Sequence, residues 1–498
     1  MVVLNGNFTS AALEYTNGLL TLSGGAKSYP NINQIDLTAG NYGAVSAAAN
    51  NILINGGTMN ATGIVSTNKL TVNSGSFSAT TLEVTDDFIQ NGGTTNITNI
   101  SGGKDVKITA GTGTFQNITL ANDFIMTGGT VSHPAGTTTV PYRLILTLGG
   151  KLALQGGTIN VTGKGYPVGY SFGGGSGAPN VSLVTAAAAH GGQGYGGTGV
   201  TYGDYKNPEY PGTGVGTAGG GVVKVNATGP CIVDNTSSIL AKGVDNGAGA
   251  SGAGGSINLK CAAFTGNGAS TVLNASGGAV SIISNGGGGG RISLISTNGA
   301  ASFAGSFTLP TDSTSMTNFT NNVQARGGSG TNGGGAGTIF IKHTGLTYGG
   351  LIVHNNGALS SGKTNLPFLH KTSTAFTTNT INFSPLPNSA YVDLYKNILV
   401  RPDISDDNGT PGNPLDDFIT TITGNLMNEV TVSNALTGYT VGAEFRTLEV
   451  VDHLYISGMA EMVVGSDMVV TTGNFMTNTL NLPNGYYTPT DGGQLYAP

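Results

Sequence analysis

Glycines recur at Gly57, Gly75, Gly93, Gly111 and Gly129, a strict interval of 18 residues. Each closes a six-residue phrase in which apolar residues alternate with polar ones. The units read ILINGGTMNATGIVSTNK, LTVNSGSFSATTLEVTDD, FIQNGGTTNITNISGGKD and VKITAGTGTFQNITLAND, followed by FIMTGGTVSHPAG. LTLSGG (20–25), DLTAGN (36–41) and LALQGG (152–157) are looser relatives. A fixed period of this length is the mark of a repeat architecture. Gly, Asn and β-branched residues fill the window and no 3.6 period appears, so helices are excluded.

Eighteen residues divide into three hexads, and each hexad suits one short strand and a corner. Alternation places two side chains of each strand inside. Ile52 and Ile54, Leu70 and Val72, Val106 and Ile108, and Phe124 and Met126 are predicted to stack in one interior column. Leu82 and Val84 are predicted to stack with Ile118 and Leu120 on another face. Gly and Asn fall at corners, where a positive φ is needed. One coil cannot bury its own apolar face, so successive coils must stack about 4.8 Å apart. The predicted fold is all-β, a parallel β-solenoid (β-helix) with coils of about 18 residues. A β-sandwich also alternates, but it needs no fixed interval.

The chain divides into four predicted regions. Residues 1–162 form the regular solenoid. Residues 163–364 form a glycine-rich solenoid with units of about 35 residues. Within it GGGVVKV (219–225), GGSINLK (254–260) and GGGRISL (288–294) repeat, counted from Val222, Ile257 and Ile292, and GAGTIFI (335–341) follows. AKG (241–243), ASGG (275–278) and ARGG (325–328) lie between them. The glycine-rich stretches are expected to be loops extruded at one corner. Residues 365–440 lose the rhythm and read as an irregular β insert. Alternation returns in 441–498, where the solenoid is expected to resume and the tail YYTPTDGGQLYAP to cap it.

The strings HGGQGYGG (190–197), YGDYKNPEYPG (202–212), GGGVVKV, ILAKG, GAGGSINLK, ASGG and GGGGGRISL occur in that order. They resemble the glycine-rich repeat modules of very large bacterial surface proteins. The run GAEFRTLEVVDHLYISGMAEMVVGSDMVV (442–470) resembles another module of the same proteins. The likeness covers about 150–470. It implies an exported, repetitive, adhesin-like architecture and no catalytic residues.

Composition narrows the function. The 498 residues include 84 Gly and no Trp, and only 9% are charged, against about a quarter in ordinary domains. The net charge of −6 is spread thinly and no Lys/Arg cluster exists, which argues against nucleic acid as a partner. No apolar run is long enough for a helical membrane span. The start, MVVLNGNFTSAALEY, shows no basic region followed by an apolar core. The sequence therefore reads as a segment of a longer chain, a mature form or a protein released without a signal. Cys231 and Cys261 fit no disulfide framework or metal motif and are read as two small buried hydrophobes.

Candidate sites are few. DISDDNGTPGNPLDD (403–417) gathers Asp403, Asp406, Asp407, Asp416 and Asp417, but Asn408 stands where a calcium loop needs Gly and no Glu closes it. It reads as a solvated turn. GGGGGR (286–291) lacks the Lys-Ser/Thr pair and the helix of a phosphate loop. Asp86 and Asp87 sit at a corner. His133, His190, His343, His354, His370 and His453 are dispersed, and only five arginines exist, so no catalytic, cofactor or metal site is assigned. Tyr166, Tyr170, Tyr195, Tyr202, Tyr205 and Tyr210 cluster within 45 residues. They read either as rings offered to sugars or another protomer, or as rings folded inward to pin a loop. The Asn-x-Ser/Thr triplets at Asn60, Asn96, Asn160 and Asn226 are what such a composition makes by chance.

The expected function is that of an extracellular or cell-surface structural and adhesive protein, not an enzyme. Self-association end to end, through strand-like and nearly uncharged termini, is the expected partnership, with surface glycans as further ligands. A phage-type tail fibre and a carbohydrate-active β-helix enzyme are the alternatives.

Overall fold

The computed structural model describes residues 51–61, 63–172, 188–195, 201–247, 249–267, 272–280, 285–357, 362–386, 394–405, 414–415 and 417–471, with short stretches of strand backbone beyond them. The predicted N-terminal edge and C-terminal cap, with Tyr486, Tyr487 and Tyr496, lie outside the described side chains. The protein is all-β; one helix of more than two turns, Ser313–Asn322, is present among the described residues.

Three parallel ladders run side by side. In the first, Ile52, Leu70, Phe88, Val106, Phe124 and Leu152 pair in succession, and Cys231, Phe264 and Phe303 continue the row. The second carries Met59, Phe77, Thr95, Gly113, Val131 and Ile159 on through Ile239, Leu273 and Val323. The third carries Leu82, Ile100, Ile118, Leu146, Val225, Leu259, Leu294 and Ile341. All three rows face inward and are buried. The glycines at the 18-residue interval all have positive φ, between +64° and +87°. An added Cβ at Gly75 would lie 2.4 Å from the Gly57 carbonyl oxygen, so the corner requires glycine twice over.

Phe88 and Gln90 fill the rung that the predicted column left out. Gln90 is fully buried. Its amide donates to Gly93 O at 3.2 Å and Thr112 O at 3.1 Å, and accepts from Thr95 Oγ1 at 2.8 Å. A polar group is tolerated in the column because its bonds are made inside it. At the outer corner Asn91 donates to Asn73 and Asn73 to Asn55, at 2.9 and 2.6 Å.

The glycine-rich middle departs from expectation in three ways. First, the register differs by one at its start: Val223, not Val222, lies opposite Ile257, which in turn lies opposite Ile292. Second, Cys231 and Cys261 are bonded to each other, with Cα atoms 5.8 Å apart. They stand on adjacent layers of neighbouring ladders, a proximity that their spacing of 30 residues does not announce. Third, the glycine segments are not extruded. Residues 188–194, 251–255, 286–290 and 333–337 are buried. Successive amides of one segment reach three different neighbours: Ala253 N to Thr213 O, Gly254 N to Gly288 O and Gly255 N to Ala241 O. Gly288, Gly289 and Gly290 likewise donate to Ala188, Gly335 and Ala275. A sheet strand bonds in two directions. Three directions match an extended helix of three residues per turn. These segments therefore pack backbone against backbone, which only residues without side chains permit.

After Thr338–Lys342 the chain reverses. Gly350–His354 pairs antiparallel with it and then parallel with His453–Ser457. The region read as irregular is ordered: His370–Phe376, Thr380–Phe383, Glu429–Val432, Thr420–Asn425, Leu399–Arg401 and Glu444–Val451 pair in that order, and the last returns to the first. They close a six-stranded barrel around Ile381, Phe383, Val400, Ile422, Val430 and Phe445. Glu444–Val451 also pairs parallel with Asp467–Val470, which ties the barrel to the strands that follow.

Candidate binding site

The barrel positions an open cleft of about 530 Å³, lined by Asp403, Ser405, Phe418, Thr437, Gly438, Tyr439 and Thr440. Gly438 adopts φ +86° and turns the chain between Thr437 and Tyr439. Tyr439 stacks on Phe376 with ring centroids 5.7 Å apart and meets Phe418 at 5.8 Å. All three rings are partly buried. Asp403 Oδ1 accepts from Ser405 N at 2.9 Å and Ser405 Oγ at 2.6 Å, which holds the carboxylate at the rim. Two partly exposed rings, Phe418 and Tyr439, stand beside hydroxyls and one carboxylate at this open rim.

The sequence places Asp403 in a stretch read as a solvated turn and gives no sign of the two lining rings, Phe418 and Tyr439, which come from separate segments. Of the other aspartates in that stretch, Asp417 is not solvated. It pairs with Arg401, whose Nη1 also binds Asp467 at 3.0 Å, and Arg446 binds the other oxygen of Asp467 at 2.9 Å. This buried network joins the barrel to Asp467–Val470. Asp406, Asp407 and Asp416 lie outside the described residues. Asp86 and Asp87 pair with Lys104 and Lys107 at 3.0 and 2.9 Å, one layer on. Among the described residues no three His, Cys, Asp or Glu side chains are grouped to hold a metal.

The tyrosines divide. Tyr166, Tyr202 and Tyr205 are buried, and Tyr170, Tyr195 and Tyr210 are partly so. Tyr202 stacks on Phe172 at 5.2 Å and donates to Pro211 O at 2.6 Å. Tyr205 donates to Glu449 Oε2 at 2.9 Å. Tyr166 and Tyr202 share one apolar cluster with the barrel core. The inward reading holds for the three buried rings.

Around them lies a second buried polar group. Arg291, the last residue of GGGGGR, is fully buried; its Nε donates to Tyr202 O at 2.9 Å and its Nη1 to Thr338 Oγ1 at 3.0 Å. Burial lowers its pKa to about 10, against the nearby charges of Asp204 and Glu449. Burial also raises the carboxyls of Asp204 and Glu449. The amides of Gly288, Gly289 and Gly290 are all bonded within the protein, which leaves none of them for a phosphate.

Four of the histidines make defined contacts. His133 accepts from Val222 N at 3.1 Å, and His190 Nδ1 lies 2.8 Å from Gly254 O. His354 meets Ser457 Oγ at 2.7 Å, and His370 faces Glu444 at 3.5 Å. Each secures a local contact.

Comparison with family models, curated proteins and solved structures finds no match to this chain.

Proposed function

We propose that the chain is a parallel β-solenoid with an attached β-barrel, serving as an extracellular structural and adhesive protein. The observation that carries this reading is the in-register first ladder from Ile52 to Phe303. Such stacking gives length and stiffness, since each layer's amides are satisfied by the next. The Cys231–Cys261 bond supports an oxidising compartment. The barrel cleft is the contact surface, and a glycan is its ligand in this reading. No catalytic residue is assigned.

The ends of the ladder bear on assembly. Thr338–Lys342 is already paired on its outer edge with Gly350–His354, so that edge offers nothing to a second copy. Self-association, in this reading, uses the opposite end, where one free end joins two copies into a longer rod. Electron microscopy at micromolar concentration tests assembly, and a glycan array with wild type and Tyr439→Ala tests adhesion. Elongated particles and glycan signals lost in the variant are expected. Monomeric rods at every concentration, with no glycan retained, would overturn the reading.

A further inference from the structure

One outer face of the ladders is a grid of small neutral polar side chains. The outward positions flanking the second buried row form two ranks. The first rank is Thr58, Ser76, Thr94, Thr112, Thr130 and Thr158, each directly opposite the next. Two residues along the same strands stands the second: Asn60, Ser78, Asn96, Thr114, Ser132 and Asn160. Their register follows from the same pairings and from Ser132 Oγ donating to Asn160 O at 2.7 Å. Every member is partly or fully exposed. No charged residue stands in either rank across six layers.

The grid is ordered before any ligand arrives. Met59, Phe77, Val131 and Ile159 lie buried between the ranks and fix the strands from behind. Threonine, at five of the six positions in the first rank, is β-branched and stiff at χ1. Neighbours also hold one another along the axis: Ser78 Oγ donates to Asn60 Oδ1 at 2.7 Å, and the Thr94 and Thr112 hydroxyls are 3.3 Å apart.

The spacing of parallel strands is close to one found in ordered water. Adjacent layers repeat at about 4.8 Å, and a two-residue step along a strand is about 6.6 Å. In a tetrahedral network of water, an O–H···O distance of about 2.75 Å sets next-nearest oxygens about 4.5 Å apart and a two-layer repeat near 7.3 Å. The grid lies within about 0.3 Å of the first spacing and about 0.7 Å of the second. An uncharged, rigid array is also what a neutral crystalline lattice requires, since an ion's tightly held hydration shell would disrupt it. We propose that this face binds ice, ordering water on the two ranks into register with the crystal lattice. This activity is additional to adhesion through the barrel cleft and does not depend on it.

The test uses the full chain. Single ice crystals grown in the protein are expected to facet, and the protein is expected to be taken up into slowly growing ice. Thr112→Lys places a long charged side chain in the middle of the first rank and is expected to reduce both effects several-fold. Thr119→Lys, exposed on the face of the third ladder, is expected to leave both unchanged. Circular dichroism and melting temperature establish that each variant is folded. Wild-type protein that neither facets ice nor enters it would overturn the proposal whatever the variants do. Equal losses in the two variants would overturn the assignment to this face. Retention on crystalline cellulose or chitin without any effect on ice would give the face to polysaccharide instead.

Discussion

Val72 and Asn73 are neighbours in sequence and opposites in environment. Val72 is fully buried in the first ladder, while the Asn73 amide is exposed in a ladder of corner side chains. Val72→Asp places a carboxylate where nothing can pair with it and is expected to cost about 4 kcal/mol or more. Asn73→Asp loses one exposed donor and is expected to cost about 1 kcal/mol or less. Thermal melts of the two variants check this, and equal losses would show the inward register to be reversed. This contrast was legible in the sequence because alternation and the glycine interval together determine which side chain turns in. Gln90 was not, since a glutamine in an apolar column signals an exposed position until its partners Gly93, Thr95 and Thr112 are seen around it.

At the scale of the element, the glycine-rich segments behave as buried packing units. A Cβ at Gly289 would come within 2.2 Å of Ala325 O and 2.3 Å of Gly337 N, both backbone atoms with no freedom to swing aside. Gly289→Ala is therefore expected to destabilise by about 3 kcal/mol or more, at the upper end of overpacking costs. Gly299→Ala meets nothing nearer than Thr344 Oγ1 at 3.9 Å and is expected to stay within about 0.5 kcal/mol. Denaturant melts of both variants measure the difference, and a tolerated Gly289→Ala would show that the backbones are not in contact. Sequence reasoning placed these stretches outside because glycine runs commonly mark loops. The Ala-x-Gly phrase at 241–243, 275–278 and 325–328 carries the signal of this packing. It repeats a small residue where the neighbouring backbone approaches.

At the scale of the molecule, acidity should loosen the fold. Burial lowers the pKa of His133 to about 4 and, with the charge of Arg291, that of His190 to about 3. Both are neutral in the folded chain, whereas the unfolded chain takes up their protons below about 6.5. Unfolding is therefore favoured as pH falls from about 6.5 towards 4, by up to about 3 kcal/mol for each such histidine. Asp204 and Glu449 act in the opposite sense, because their raised pKa values let the folded chain hold protons that the unfolded chain has released. The melting temperature is expected to drop across this range, and to drop less in His133→Gln. A flat profile would mean that the carboxyls offset the histidines.

From Ile52 to Phe124 the sequence alone determined the ladders. An 18-residue period carries its own register: each strand's partner is its own repeat, so inward and outward faces, corners and the two outer ranks follow from local counting. The rest was decided by contacts between segments with no shared period. The barrel closes because Glu444–Val451 returns to His370–Phe376, and the cleft takes its rings from two separate places along the chain. Cys231 and Cys261 meet because two ladders set them side by side. Tyr205 turns inward because Glu449, 244 residues later, lies there to accept its hydrogen bond. Such pairings depend on which surfaces the folded chain brings together, and composition and spacing carry no record of them.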